Sequence, residues 1–472
     1  MNSKEKNRKH GIAVKICDLW QSVTAPTPTP TPTSVNGRET NNEPALFLAA
    51  CRDGNLAIVR KMIRRNNKNK NETNGYINCT DAFGRTALIV ASRHHSLAVV
   101  RTLLKCRTVD VNAKDNDGLT ALIYAIQYGD YNIVRSLLEH EKVNVNIKCK
   151  RGHTALAWSC SLGRLNIIRE LMRRDDVNVN SKDDHGRTVL VEAAYHNRVN
   201  IVRELLLLLR NDHHGDNNML DVNATDKQGL TALVHASRLG HLDSTRELLQ
   251  HENVNVNMTS KCGCTALVWA CYEGYYDVVS ELLKHPRVDV NATDKLGNTA
   301  LIAASRYGNF HTVRSLLKQN HHVVDMNMRG ELGFTALIAA SRYGCLDVVR
   351  ELVRVVTLDV NLEDNIGRTA LFWAVYEGHW EIVDELLKLE DDVGVNSKGS
   401  HGYTVLMWAT LRGKLDVVHQ LIKHPRLDVT VKNKAGSTAL DIARHLDMVQ
   451  IVCCLEDHVR LYARPMRWTP SK

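Results

Sequence analysis

An interval of 34 residues governs this chain. Glycines stand at Gly84, Gly118, Gly152, Gly186, Gly229, Gly263, Gly297, Gly333, Gly367, Gly402 and Gly436, and seven of the ten spacings are 34, the others being 43, 36 and 35. After one intervening residue each glycine is followed by Thr, then mostly by Ala-Leu, as at Thr86, Thr120, Thr299 and Thr438. A second glycine follows nine residues after most of these threonines, at Gly129, Gly163, Gly240, Gly274, Gly308, Gly344, Gly378 and Gly413. Next come Val-Val-Arg or Ile-Val-Arg, a Leu-Leu pair, and Val-Asp-Val-Asn or Val-Asn-Val-Asn. A repeat of this length fixes the architecture before any single residue does.

Each part has a physical task. Thr before Ala-Leu starts a helix, because its hydroxyl accepts from an amide that the first turn leaves orphaned. Ala-Leu-x-x-Ala gives that helix a narrow face against which a second helix packs closely. The glycine ends it, since it accepts the positive φ that a helix C-terminus demands. Leu346, Val348, Val349 and Leu352 then form the apolar stripe of a second helix. The alternating Val-Asp-Val-Asn suits a short extended arm, which the Gly-centred segment turns back. The unit is helix, turn, helix, hairpin. It cannot bury its own apolar face, so only stacking keeps water off it.

At these residues the chain resembles the ankyrin-repeat family, from 44 to 457, with about twelve repeats. Two departures stand out. The family's Thr-Pro-Leu-His is Thr-Ala-Leu-x here, without the helix-starting proline and the histidine hydrogen bond. The family's period of 33 becomes 34, because the second helix ends in runs such as His285-Pro-Arg-Val. Proline stops a helix as glycine does. The resemblance implies an all-α solenoid with short β-hairpins, an elongated right-handed stack of roughly 100 Å if helix layers lie 8–10 Å apart. The first repeat, from Pro44, lacks a preceding hairpin, and the last decays after Cys454 into a C-terminal cap. Residues 66–75, 210–218 and the neighbourhood of His321 are expected to project as loops.

Residues 1–43 fall outside the period. Pro and Thr alternate from Thr24 to Thr33, an extended spacer that packs poorly. Before it, Ile12, Ile16, Leu19, Trp20 and Val23 would line one face of a short helix. A disordered leader and a docking peptide are both open here. Residues 458–472 form a basic tail.

Composition excludes whole classes. The 472 residues carry 61 Lys and Arg against 52 Asp and Glu, a net +9 too dilute to imply nucleic acid by itself. Apolar runs such as Leu205 to Leu209 are far short of the roughly 20 residues of a membrane span. The start is polar and does not read as a secretory signal. Twelve scattered cysteines then read as reduced thiols, in the cytoplasm with the nucleus also open. A monomer is expected.

No catalytic constellation is legible: no phosphate-cradling glycine loop, no HExxH, no GxSxG and no kinase signature. The chain is expected not to be an enzyme and to need no cofactor. Cys262, Cys264 and Cys271 cluster, and His94-His95, His213-His214 and His321-His322 pair, yet they fall on different elements and do not converge as a zinc site must. Trp158, Trp269, Trp373 and Trp408 share one register of the first helix, where core packing is expected over ligand binding. The end of that helix is more informative. It carries Tyr128, Tyr195, Arg238, Tyr272, Arg306, Tyr307, Arg342, Tyr343, Tyr376 and Arg412. The resemblance implies that such residues line a concave groove beside the hairpins, and Tyr and Arg dominate interface hot spots. The competing account is that Arg complements the helix dipole and Tyr packs on its neighbour.

The second helix repeats Arg at Arg169, Arg203, Arg246 and Arg350, each followed by Glu, a self-neutralised outer face that no nucleic-acid stripe would show. Asn112 and Asn291 lie in segments resembling the motif of the asparaginyl hydroxylase that modifies ankyrin repeats; bracing the hairpin by hydrogen bonds is the alternative. The expectation is a protein-binding scaffold. A targeting subunit that recruits an enzyme through its termini, and nucleic-acid binding through the basic ends, are the two rival readings.

Overall fold

The computed structural model describes residues 43–68, 76–208, 220–318, 324–389 and 393–462. The leader, most of the anticipated projecting loops and the end of the basic tail lie outside the described residues. Contacts divide the chain into residues 1–46 and 47–472. Of the first unit only the start of the helix Glu43–Arg52 is described. The second unit holds the repeats.

Among the described residues, 24 α-helices follow one another as twelve pairs, from Glu43–Arg52 with Leu56–Lys68 to Ala439–His445 with Val449–Tyr462. We call the first helix of each pair inner and the second outer. Eleven inner helices start on a threonine in extended conformation whose hydroxyl accepts from the amide three residues on. At Thr231 this bond to the Val234 amide is 3.2 Å. Gly129 ends its helix at φ 73°, ψ 23°, in the left-handed region. Leu, Ile, Val and Ala of the inner helices interleave with the outer stripes into one core running from Phe47 to Leu455. From Ala87–Arg93 onward each inner helix packs on the inner helix of the next pair, and most outer helices do likewise.

The segments expected as hairpins are tight turns. No β-strand appears among the described residues, and the one isolated bridge given there is antiparallel, Thr80 to Thr86. Side chains replace the ladder. Asp115 Oδ1 accepts from the amides of Asp117 and Leu119, closing the turn on itself. Neighbouring turns touch through backbone, Lys150 N donating to Asp117 O at 3.0 Å. At Gly152, with φ 76°, a Cβ would sit 2.6 Å from the Asp184 amide, so no larger residue fits between these turns.

Asparagines join repeat to repeat. Asn112 Nδ2 donates to Lys142 O at 2.8 Å while its Oδ1 accepts from Asn144 N at 2.8 Å. Asn146, Asn257, Asn327 and Asn396 repeat this double bond to the following repeat. Asn291 Oδ1 accepts from Asp325 N at 2.9 Å. Both expected hydroxylation positions are therefore rungs of this ladder.

The outer face carries a second ladder. Arg169 pairs with Glu204 at 2.8 Å, Arg203 with Glu247 at 2.6 Å, Arg246 with Glu281 at 3.1 Å and Arg350 with Glu385 at 3.3 Å. Neutralisation does not run between adjacent residues: Arg169 reaches Glu204 of the next repeat, and Glu170 is taken by Arg173 three residues on. No helix of the described residues is long and apolar enough to cross a membrane.

Candidate partner-binding surface

Helical geometry brings the last turn of every inner helix to one side of the stack, and there arginine and aromatic side chains meet across repeats. Arg238 lies over the Trp269 ring at 4.6 Å, and Trp269 adjoins Tyr272, which meets Tyr307 edge-on at 5.7 Å. Arg306 lies over Tyr343 at 5.4 Å and binds Glu331 at 2.8 Å. Burial alone would lower the Arg306 guanidinium pKa, but the hydrogen bonds to Glu331 and Tyr343 outweigh it and raise it. Arg342 lies over Trp373 at 4.2 Å and Phe334 at 5.2 Å. Trp373 meets Tyr376 at 5.7 Å, and Arg412 covers Tyr376 and donates to its carbonyl at 2.7 Å. From Arg238 to Arg412 the expected residues thus form one band of cation–π and edge contacts.

Tyr195 and Tyr128 stand apart from that band. Tyr195 is sandwiched between Arg187 at 4.1 Å and His235 at 5.5 Å. Tyr128 stacks on Tyr124 and meets His95 edge-on. The expected set also divides by burial. Tyr128, Tyr307 and Tyr343 are 45%, 37% and 43% exposed, and Arg412 is exposed too. Tyr195, Arg238, Tyr272, Arg306, Arg342 and Tyr376 are half-buried. Tyr272 donates its hydroxyl to Asp294 Oδ2 at 2.8 Å; burial and that carboxylate both push its pKa up. The half-buried members pack and bond; the exposed ones offer ring faces to solvent.

Residues that the sequence alone leaves unconnected support the band from beneath. An aspartate in the turn bonds a donor nine residues on, in the following inner helix: Tyr124 to Asp115 at 2.7 Å, His235 to Asp226 at 2.8 Å, Trp373 to Asp364 at 3.0 Å. The signal was present, as a donor recurring at a fixed offset from the turn aspartate. Of the cysteines read as a cluster, Cys262 and Cys264 face each other at 3.3 Å, whereas Cys271 is sealed in the core. Among the described residues, those that do bring metal-binding atoms together are His153, Asp183 and Glu192, with all those atoms within 4.8 Å of one another.

The family model "Ankyrin repeats (3 copies)" matches residues 46–149, 141–221, 206–294, 282–364, 301–398 and 371–462. The chain belongs to the ankyrin-repeat family. Ankyrin repeats are generally protein-interaction modules, and the ankyrin fold is typically non-enzymatic. One similar solved structure is the ankyrin repeat domain of Bcl-3, described as a unique member of the IkappaB protein family. It is 25% identical, with a TM-score of 0.44, over 51% of this chain and 100% of that one. No curated protein matches.

Proposed function

We propose that this ankyrin-repeat chain is a non-enzymatic scaffold that binds partner proteins along the concave groove formed at the ends of its inner helices. The observation that carries the reading is the division of labour in the arginine–aromatic band. Half-buried Tyr272, Arg342 and Tyr376 hold a rigid base, Tyr307, Tyr343 and Arg412 present exposed rings and a guanidinium on it, and Tyr128 adds an exposed ring apart from the band. Rigid aromatic area and multidentate donors are what anchor interfaces at low entropic cost. Cysteines that form no disulfide among the described residues fit a reducing compartment, the cytoplasm or nucleus, and we take the chain as a monomer there. For Asn112 and Asn291 we favour the bracing role over hydroxylation, because both amides already bind the next repeat.

The test changes Tyr128, Tyr307, Tyr343 and Arg412 together to Ala and leaves the half-buried members intact. Circular dichroism is expected to hold while proteins captured by the wild-type chain are lost, as read by affinity purification and mass spectrometry. Retention of the same captured proteins sinks the groove assignment.

A further inference from the structure

The turn aspartates set a rule, and one of them breaks it. In each of these turns Oδ1 closes the turn by accepting backbone amides, and Asp183 obeys, bonding the amides of His185 and Arg187 at 2.8 Å. The other oxygen elsewhere takes a strong donor. Asp81 Oδ2 has Arg85 at 2.7 Å, Asp115 has Tyr124, Asp226 has His235, Asp294 has Tyr272, and Asp364 has Arg368 at 2.9 Å. Asp183 Oδ2 is buried without a hydrogen bond. The residue nine positions on, where Tyr124, His235 or Trp373 donates, is here Glu192, a second acceptor. A buried carboxylate oxygen that accepts no hydrogen bond is costly, and the imidazole of His153 stands 3.5 Å from it, so this residue choice calls for an occupant.

The geometry points to a divalent cation of the zinc type bound by His153 Nε2, Asp183 Oδ2 and Glu192 Oε1. His153 Nε2 lies 3.5 Å from Asp183 Oδ2 and 4.0 Å from Glu192 Oε1. Tetrahedral zinc with bonds of about 2.0–2.2 Å sets its ligand atoms roughly 3.3–3.5 Å apart, so the two His153 distances stand within about half an ångström of that geometry and the two carboxylate oxygens, within 4.8 Å of each other, draw together on binding. The three residues are 7%, 9% and 3% exposed, a shell that water does not flood. One imidazole with two carboxylates suits zinc better than calcium or magnesium, which prefer all-oxygen sets. Three protein ligands leave a fourth position for solvent. Glu192 is fixed from its other side by Arg187 at 3.3 Å on Oε2, while His196 lies 3.0 Å from the ligating Oε1 itself and shares it, contacts that orient the carboxylate. The site lies between two successive turns and the inner helix Val189–Tyr195 that follows the second, so the cation ties neighbouring repeats together.

The experiment uses the full chain with Cys262→Ser and Cys264→Ser, which removes the thiol pair as a competing zinc site. Competition with a chromophoric zinc chelator is expected to give one zinc per chain with sub-micromolar affinity, and zinc is expected to raise the melting temperature. Glu192→Gln supplies the missing donor to Asp183 and so keeps the fold by the rule of the neighbouring turns; it should weaken zinc at least tenfold. His153→Gln should do the same. Affinity unchanged in both variants, or no zinc uptake below 10 μM by the double-serine chain, overturns the assignment.

Discussion

The inner helix Ala300–Arg306 buries six of its seven residues and is started by the Thr299 hydroxyl, whereas the outer helix behind it, Phe310–Leu317, buries three of eight and has no side-chain cap. The same contrast recurs through most of the stack, though the outer helix Tyr131–Leu138 is capped by Asp130 and the terminal inner helices Glu43–Arg52 and Ala439–His445 bury only three residues each. Inner helices are short and apolar almost all round, with alanine where neighbours come closest, so each is specified by its cap and by contacts on every side. Outer helices are specified by one stripe, and their free face is occupied by arginine–glutamate pairs reaching to the next repeat. The difference teaches where the sequence has freedom. It lies behind the stack and not in front of it.

Substitutions ranked by size can break or sharpen this contrast. Because each repeat contacts only its neighbours, the proper readout is hydrogen exchange of the affected repeats, not one global melting point. Leu301→Ala empties a fully buried inner position and should destabilise its repeat and the two adjoining it by about 2–5 kcal/mol. A loss no larger than that of an outer surface substitution contradicts the contrast.

The next effect is a pH dependence. Burial pushes the Asp226 carboxyl up, but His235 and the amides of Leu230 and Gln228 outweigh it, so its pKa in the fold is lowered. Its stabilisation is therefore complete above the ordinary carboxylate range and is lost as pH falls through the lowered value. Asp226→Asn should flatten that part of the acid-unfolding curve. If the acid limb is unchanged in the variant, the Asp226–His235 pair does not carry it.

Removing the Thr299 cap with Thr299→Ala should cost about 1 kcal/mol and fray the start of one inner helix, seen as faster exchange at Ile302. Smallest of all is the outer ladder. Arg350→Ala, losing the Glu385 contact, should fall below the cap in effect and disappear at about 1 M salt. An effect larger than the cap's would mean the outer ladder sets stability.

Features confined to one repeat were legible beforehand. Thr299 and Gly308 act on residues a few positions away, so their spacing already states their job. What needed the stack was harder to read. Arg342 looks like a groove residue in the sequence, and only the placement of the next repeat shows its guanidinium over Trp373. Arg169 looks paired with its neighbour Glu170, yet a helix turns adjacent residues apart, and Glu204 from the following repeat comes to hand instead. His153, Asp183 and Glu192 carry no motif, since their atoms meet only when two consecutive turns and the following inner helix are set side by side. The tight turns where hairpins were expected have a similar origin, because Asp and Asn side chains bind the amides that a strand ladder would have used.

The asparagine rungs have a mechanical consequence. Asn112, Asn146, Asn257, Asn327 and Asn396 each tie one repeat to the following one by two bonds from a single short side chain. Tension applied to the two ends of the stack is shared in series by these clasps, so the chain should yield like a ratchet, one tooth at a time. Each tooth releases 34 residues of contour, or about 110–120 Å when pulled straight. A force–extension trace with evenly spaced steps near that length is the signature of such a spring.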